Sequence, residues 1–180
     1  MNYKKIHPYL MIAMLTLFVG CNERFSNNES ALINDLISVT SVQDKGRYVM
    51  GKVIRIADGD TFTMVFENGF DVRVRLNGID SPEKKQAFSN RAKQTLSELI
   101  YDKEVKVFYE SKDRYGRVLG DVYIDNLNVN QEMVRRGMAW HFTRYSDDET
   151  LAALEKEARK NRIGLWVDPN PVAPWEFRRK

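Results

Sequence analysis

The sequence predicts a mainly β domain of the α+β class, built as a five-stranded barrel with three helices. Strand-like patterns occur five times, and a stretch with helical periodicity separates the third strand from the fourth. This order is typical of a small, partly open barrel of the OB-fold type. With 180 residues the chain can form one domain with a proper core, which we place at residues 48–167. The predicted strands are residues 48–57, 61–67, 70–77, 105–109 and 118–124.

The second and third strands are predicted to form a hairpin. The dipeptide Asn68-Gly69 separates them, and it favours a tight two-residue turn. The third strand alternates with period two, which places its polar and apolar side chains on opposite faces. Its polar face carries Asp71, Arg73 and Arg75, and its apolar face carries Val72, Val74 and Leu76.

Three helices complete the predicted domain. The first is defined by apolar residues at helical intervals, and the second covers residues 129–136 and is stopped by Gly137. Ser146 and Glu149 have the spacing of a capping box, so they are expected to open a third helix that ends before Gly164. The residues that define the first helix are Phe88, Ala92, Leu96, Leu99 and Ile100.

The N-terminal residues 1–20 have the pattern of an export signal, and residues 21–47 are expected to form a polar tether. Lys4 and Lys5 precede an apolar run over residues 9–19, which is too short to span a bilayer comfortably. Removing these twenty residues lowers the formal net charge from +3 to +1. Binding to nucleic acid would therefore depend on local clusters of charge rather than on the total charge.

Cys21 is the only cysteine, which excludes an intramolecular disulfide. It follows Phe18-Val19-Gly20 at the end of the apolar run, and this segment resembles the processing box of bacterial lipoproteins. We therefore expect Cys21 to be lipidated and the exported protein to be anchored to a membrane of the cell envelope. The alternative is an ordinary secreted protein with an incidental thiol.

The C-terminal residues 168–180 are predicted to form a non-helical tail. The tail contains three prolines and ends in Arg178-Arg179-Lys180. Its aromatic residues, Trp175 and Phe177, are expected to dock on the domain rather than to stack on bases.

The hairpin brings two carboxylates together, although twenty positions separate them in the sequence. Asp60 precedes the second strand and Asp80 follows the third, so both lie at the open end of the hairpin. Two carboxylates with nearby carbonyl groups suit a hard divalent cation, either calcium or magnesium. The alternative is that each aspartate caps local backbone groups of a turn. Asp58 is expected to be such a turn residue rather than a metal ligand.

Arg75 and Glu83 add the groups that a phosphodiester would need at the same end. Arg75 supplies a guanidinium that can bind phosphate oxygens, with a surface salt bridge along its strand as the alternative. Glu83 follows Pro82, which fixes the local backbone. Its carboxylate could act as a general base that activates a water, or it could be an ordinary surface glutamate.

Other candidate residues carry less weight. The basic residues Lys84, Lys85, Arg91 and Lys93 could follow a nucleic-acid backbone, but a solvated helix face is an equal alternative. His141 is the only histidine beyond the export segment, so a packing role is expected for it. No serine or cysteine has a histidine partner that would indicate a nucleophilic triad.

Three motifs together resemble the active-site motifs of the staphylococcal nuclease family. The similarity extends over about residues 48–166, and the combination of the motifs in order and with workable spacing is highly specific. The motifs are Asp58-Gly59-Asp60-Thr61 with Arg75, Asp80-Ser81-Pro82-Glu83, and Asp113-Arg114-Tyr115-Gly116-Arg117.

The resemblance implies specific roles for these residues. It implies the OB-fold, and it implies calcium bound by Asp60, Asp80 and the backbone carbonyl of Ser81. Arg117 would join Arg75 at the phosphate, with a turn arginine as the alternative. Tyr115 and Tyr145 are candidates for contacts with the nucleotide, whereas Thr143 stands where the family has a second tyrosine.

The expected function is calcium-dependent endonucleolytic hydrolysis of DNA and RNA, and the resemblance implies products with 3′-phosphate ends. The expected protein is a monomer. The rival hypothesis is a non-catalytic nucleic-acid-binding OB-fold lipoprotein, and a weaker one is a surface scaffold. A degenerate copy should have lost at least one site residue, but the sequence keeps all five: Asp60, Arg75, Asp80, Glu83 and Arg117.

Overall fold

The computed structural model describes residues 47–179. The predictions for the export segment, for Cys21 and for nearly all of the tether therefore lie outside the described residues. Among the helices of residues 47–179, none has the length and apolar character needed to cross a membrane.

Five strands form a closed barrel, as the sequence predicts. The five strands are β1 Tyr48–Ile56, β2 Thr61–Val65, β3 Asp71–Leu76, β5 Glu104–Lys112 and β6 Val118–Ile124. They lie in the order β3-β2-β1-β5-β6, and a parallel pairing of β3 with β6 closes the barrel. All other neighbours in the barrel are antiparallel.

Three short strands extend this arrangement. β7, Leu127–Asn128, continues the barrel sheet beyond β6, and β4, Ile79–Asp80, pairs with β8, Trp140–His141. The second pairing sets Asp80 opposite Trp140. A candidate site residue is therefore held in a regular strand rather than in a loose loop.

The three predicted helices are present as α1 Ser89–Ile100, α2 Val129–Arg135 and α3 Glu149–Lys160. Gly137 follows α2 with a positive φ of 62°, as expected for a glycine that ends a helix. A 3-10 helix at Gly164–Val167 and a short helix α4 at Pro174–Phe177 follow α3.

The core fills the barrel and extends beneath α1 and α2. The aliphatic face of β3 is buried and its polar face is half-buried or exposed, which confirms the predicted alternation. Side chains from strands and helices contribute to one cluster without measurable exposure, including Phe62, Val74, Leu96, Val107 and Met133. Removal of this apolar surface from water stabilises the barrel that carries the candidate site.

Three local predictions are wrong. The β2–β3 hairpin has a three-residue loop, Glu67 to Gly69, because the Phe66 N–H bonds to the Phe70 carbonyl and only Gly69 has a positive φ. Asp148, not Ser146, caps α3, since its carboxylate accepts hydrogen bonds from the backbone of Thr150 and Leu151.

The third wrong prediction concerns the tail, which contains the helical turn α4. Docking of its aromatic residues is confirmed for Trp175. The Trp175 ring is stacked on Phe142 with 5.2 Å between the ring centroids and meets Trp140 edge-on at 5.5 Å.

Candidate active site

The first carboxylate of the site lies in the tight connection between β1 and β2. Asp58 is a turn residue, because its side chain accepts the backbone N–H of Asp60 at 3.1 Å. A Cβ atom on Gly59 would lie only 2.7 Å from the Ala92 Cβ and 2.8 Å from the Ser81 Cβ. Only glycine fits at position 59, and its small size lets the turn that carries Asp60 pack closely against Ser81 and α1.

A backbone hydrogen bond joins the two ends of the hairpin. The Ser81 N–H donates to the Asp60 carboxylate at 2.9 Å, across 21 positions of sequence. Asp60, Asp80 and Ser81 are all buried. The structure thus brings together the three residues that the sequence analysis selected for the cation.

Arg75 connects the two carboxylates from the neighbouring strand. Its Nη2 lies 2.8 Å from Asp80 Oδ1 and 3.5 Å from Asp60 Oδ2. Its Nη1 donates to the backbone carbonyls of Leu76 and Ile79 at 3.1 and 3.0 Å. Since both nitrogens of the fork are engaged, the guanidinium has a fixed orientation.

Arg117 reaches the same cluster from the loop between β5 and β6. Asp113 orients it, with Nε and Nη2 at 2.8 and 2.7 Å from the Asp113 Oδ2. Nη1 donates to the Thr61 hydroxyl at 3.3 Å, and that hydroxyl donates to Asp60 at 3.0 Å. Thr61 therefore bridges Arg117 to the first carboxylate, a role that the sequence analysis did not assign.

The two carboxylates differ in their electrostatic environments. Burial acts to raise the pKa of Asp60, but Arg75 and the hydrogen bonds from Ser81 and Thr61 together hold this pKa below its ordinary value. Burial raises the pKa of Asp80 above its ordinary value, although Arg178 and Arg75 oppose the shift. Asp60 is thus the more firmly ionised member of the pair.

The donor set fits a hard divalent cation. Among residues 47–179, no three or more histidine, cysteine or acidic side chains form a metal-binding group. A cation at Asp60 and Asp80 would therefore complete its ligand shell with oxygens other than side-chain carboxylates, such as those of a carbonyl, water or the substrate phosphate. Calcium and magnesium accept such oxygen shells.

Glu83 lies at the edge of this cluster and contacts it through a residue that the sequence analysis did not select. Arg178 of the C-terminal tail places Nη1 2.5 Å from Glu83 Oε1 and Nη2 2.8 Å from Asp80 Oδ2. The only sequence signals for this contact are the basic end of the tail and the aromatic residues just before it.

The two candidate tyrosines are exposed and lie on separate elements. The guanidinium carbons of Arg114 and Arg117 lie 4.9 and 5.5 Å from the centre of the Tyr115 ring. Tyr145 contacts Phe142 edge-on, with 4.8 Å between the ring centroids, and the guanidinium carbon of Arg144 lies 5.6 Å from the centre of its ring. Tyr115 is therefore adjacent to the arginine cluster, whereas Tyr145 is adjacent to the rings on which the tail docks.

The remaining candidates lie outside this network. His141 is buried, and its Nε2 lies 3.1 Å from the Ser146 hydroxyl, which agrees with a packing role. The four basic residues after Glu83, which are Lys84, Lys85, Arg91 and Lys93, are exposed.

Comparison with known proteins identifies the family. Residues 73–168, more than half of the chain, match the family described as staphylococcal nuclease homologue. The chain belongs to the staphylococcal nuclease family. The match includes Arg75, Asp80, Glu83 and Arg117, whereas Asp60 and Arg178 lie on either side of it.

Bacterial relatives in this family are similar over most of their length. An uncharacterized endonuclease of Haemophilus influenzae is 44% identical over 129 residues, which cover 72% of each chain. An uncharacterized endonuclease of Escherichia coli is 45% identical over 133 residues, 73% of this chain and 86% of the relative. A micrococcal nuclease of Shigella flexneri is 46% identical over 140 residues, 72% of this chain and 80% of the relative.

Proposed function

We propose that this protein is a calcium-dependent endonuclease that hydrolyses phosphodiester bonds of DNA and RNA and leaves 3′-phosphate ends. The observation that carries the proposal is the ion-paired cluster of Asp60, Asp80 and Arg75 in a chain of a nuclease family. The names of the relatives, endonuclease and micrococcal nuclease, support action within polynucleotide chains.

In this proposal, the buried carboxylates of Asp60 and Asp80 and the carbonyl of Ser81 hold the calcium ion. When bound, calcium would neutralise phosphate oxygens and orient the phosphodiester. Arg75 is oriented by two backbone carbonyls and by Asp80, which hold its positive charge beside the carboxylates where the phosphate would bind. Arg117, fixed by Asp113, would bind the same phosphate from the other loop.

Glu83 is assigned to the attacking water. It would accept a proton from the water while the water oxygen forms a bond to phosphorus. The bond from phosphorus to the 5′-oxygen then breaks, the 5′-oxygen takes up a proton from solvent water, and the phosphate remains on the 3′ side. Arg75 and Arg117 would stabilise the negative charge that develops on the phosphate oxygens.

The test is cleavage of DNA and RNA by the purified protein, in calcium and after calcium chelation. We expect internal cleavage with 3′-phosphate ends that requires calcium and is absent in Asp80→Ala. Asp71→Ala, an exposed aspartate at the opposite end of the β2–β3 hairpin, is the control. Nucleic-acid binding without cleavage in any metal would instead support the rival hypothesis of a non-catalytic binding module.

We also propose that the protein acts as a monomer and is exported and held at a membrane by lipidated Cys21. All proposed site residues come from one chain, so no second copy is needed. Cys21→Ser should shift the protein from the membrane to the soluble fraction in cell fractionation. Wild-type protein that is soluble and has a mass without acyl groups would contradict the anchor but not the nuclease.

A further inference from the structure

The C-terminal tail places a guanidinium on the carboxylate that the proposed cation needs. Arg178 approaches Asp80 with both arms of its fork, Nη2 at 2.8 Å from Oδ2 and Nη1 at 3.3 Å from Oδ1. The Nη2 of Arg75 also donates to Asp80 Oδ1, at 2.8 Å. Both oxygens of Asp80 are thus engaged by arginine donors.

Packing elsewhere in the tail delivers Arg178 to this position. Trp175 is stacked nearly parallel on Phe142, with 6° between the ring planes, and it meets Trp140 edge-on. The Gln86 side chain donates to the backbone carbonyl of Val172. Because these contacts precede Arg178 in the chain, the tail reaches the site through aromatic packing as well as through the ion pairs.

A guanidinium and a divalent cation make competing demands on Asp80. A carboxylate that binds a metal must direct an oxygen lone pair at the metal, and Arg178 already donates hydrogen bonds to both oxygens of Asp80. Two positive charges a few ångströms apart also repel each other, and the repulsion is stronger near buried groups than in bulk water. Since Asp80 is buried and already pairs with Arg75, Arg178 and a divalent cation cannot both occupy it without a large electrostatic cost.

Arg178 is the partner that can leave. Its side chain is 41% exposed, against 14% for Arg75. In the described part of the chain, the Arg178 side chain donates hydrogen bonds to the carboxylates of Asp80 and Glu83. The Arg75 side chain also donates to two backbone carbonyls. Displacement of Arg178 would also free the Glu83 carboxylate.

We propose that Arg178 is an internal competitor for the divalent cation, so that the C-terminal tail restrains the site until a cation displaces the guanidinium from Asp80 and Glu83. The inference rests on the proposed function, because it takes Asp80 to be a cation ligand. The tail would thereby set the cation concentration at which the site becomes active.

The test is the calcium affinity of the purified full chain, measured by isothermal titration calorimetry without nucleic acid. The variants are Arg178→Ala and the matched control Arg179→Ala, which removes the same charge one residue further along. We expect Arg178→Ala to bind calcium roughly 3- to 10-fold more tightly than the wild type and the control. Trp175→Ala removes the aromatic packing of the tail and does not change the Arg178 residue itself. This variant should also bind calcium more tightly than the wild type.

Equal calcium affinities in Arg178→Ala and Arg179→Ala would overturn the competition. Weaker binding in Arg178→Ala would also overturn it, because Arg178 would then support the cation-bound site. Asp80→Ala separates this failure from failure of the proposed function. If calcium binds the wild type and not Asp80→Ala, the metal site stands and the arginine variants decide the competition; if no variant binds calcium, both proposals fall.

Discussion

Two arginines hold Asp80, and they reach it from different parts of the molecule. Arg75 lies on β3 of the barrel, is mostly buried and bonds to backbone carbonyls as well as to Asp80. Arg178 lies in the tail, is more exposed and contacts the carboxylates of Asp80 and Glu83. The barrel thus supplies an arginine held by backbone carbonyls, and the tail supplies one that, among residues 47–179, is held only by carboxylates.

The difference separates the permanent part of the site from the adjustable part. Asp60, Arg75 and Asp80 are fixed by strand pairing and buried hydrogen bonds, so their geometry is a property of the fold. Glu83 and Arg178 meet 95 positions apart through an ion pair at the edge of the site. Exposed ion pairs contribute little to stability, so this contact can change at low cost.

Arg75→Ala should have the largest effect. It leaves two buried carboxylates without their shared guanidinium, and breaking a buried ion pair costs roughly 3–5 kcal/mol. Urea unfolding should show this loss, and cleavage should be abolished. Arg178→Ala should lower the free energy of unfolding by less, because Arg178 is more exposed and Asp80 keeps Arg75 as a partner. Equal losses in the two variants would contradict the division into a strongly held and a weakly held arginine.

Glu83→Gln should produce the next largest effect, confined to turnover. A general base contributes roughly 10²–10⁴-fold in rate, and glutamine cannot accept the proton. The affinity for a nucleotide analogue should be kept or improved, because a negative charge near the phosphate has been removed. Cleavage rates and analogue affinities at saturating calcium give both quantities. A variant that cleaves at nearly the wild-type rate would show that Glu83 is not the base.

Arg117→Ala should reduce turnover by roughly 10²-fold, with a smaller loss of analogue affinity, because its contact strengthens as charge develops on the phosphate. Arg117→Lys should recover little, since a lysine cannot reproduce the two-pronged contact. Arg114→Ala is the matched control, because Arg114 flanks the same Tyr115 ring. Similar losses at Arg114 and Arg117 would indicate general charge attraction in place of transition-state binding.

Local sequence patterns predicted the permanent part of the site well. Alternation along β3 placed Arg75 on the polar face, and the hairpin placed Asp60 and Asp80 at one end. The turn itself was less predictable, because Asn-Gly also suits a three-residue loop in which only the glycine has a positive φ. The slightly longer loop leaves the pairing of Thr61 with Arg75 intact.

Contacts between distant segments were not predictable from these patterns. Ser146 has the spacing of a helix cap, but its hydroxyl lies within hydrogen-bond distance of His141 and accepts the N–H of Asp148, so Asp148 caps α3 instead. Arg178 meets Asp80 in the same tail segment that packs Trp175 on Phe142. Nothing in the periodicity of the tail specifies that packing partner.

The central claim is that the buried carboxylates of Asp60 and Asp80 bind a divalent cation. Its test is the melting temperature of the protein with and without excess calcium and a nucleotide analogue. A ligand at about 100 times its Kd stabilises the folded state by roughly 2.7 kcal/mol, which should raise the Tm by about 5 °C or more. We predict this rise in the wild type and its loss in Asp80→Ala. An unchanged wild-type Tm in excess calcium and nucleotide would contradict the claim.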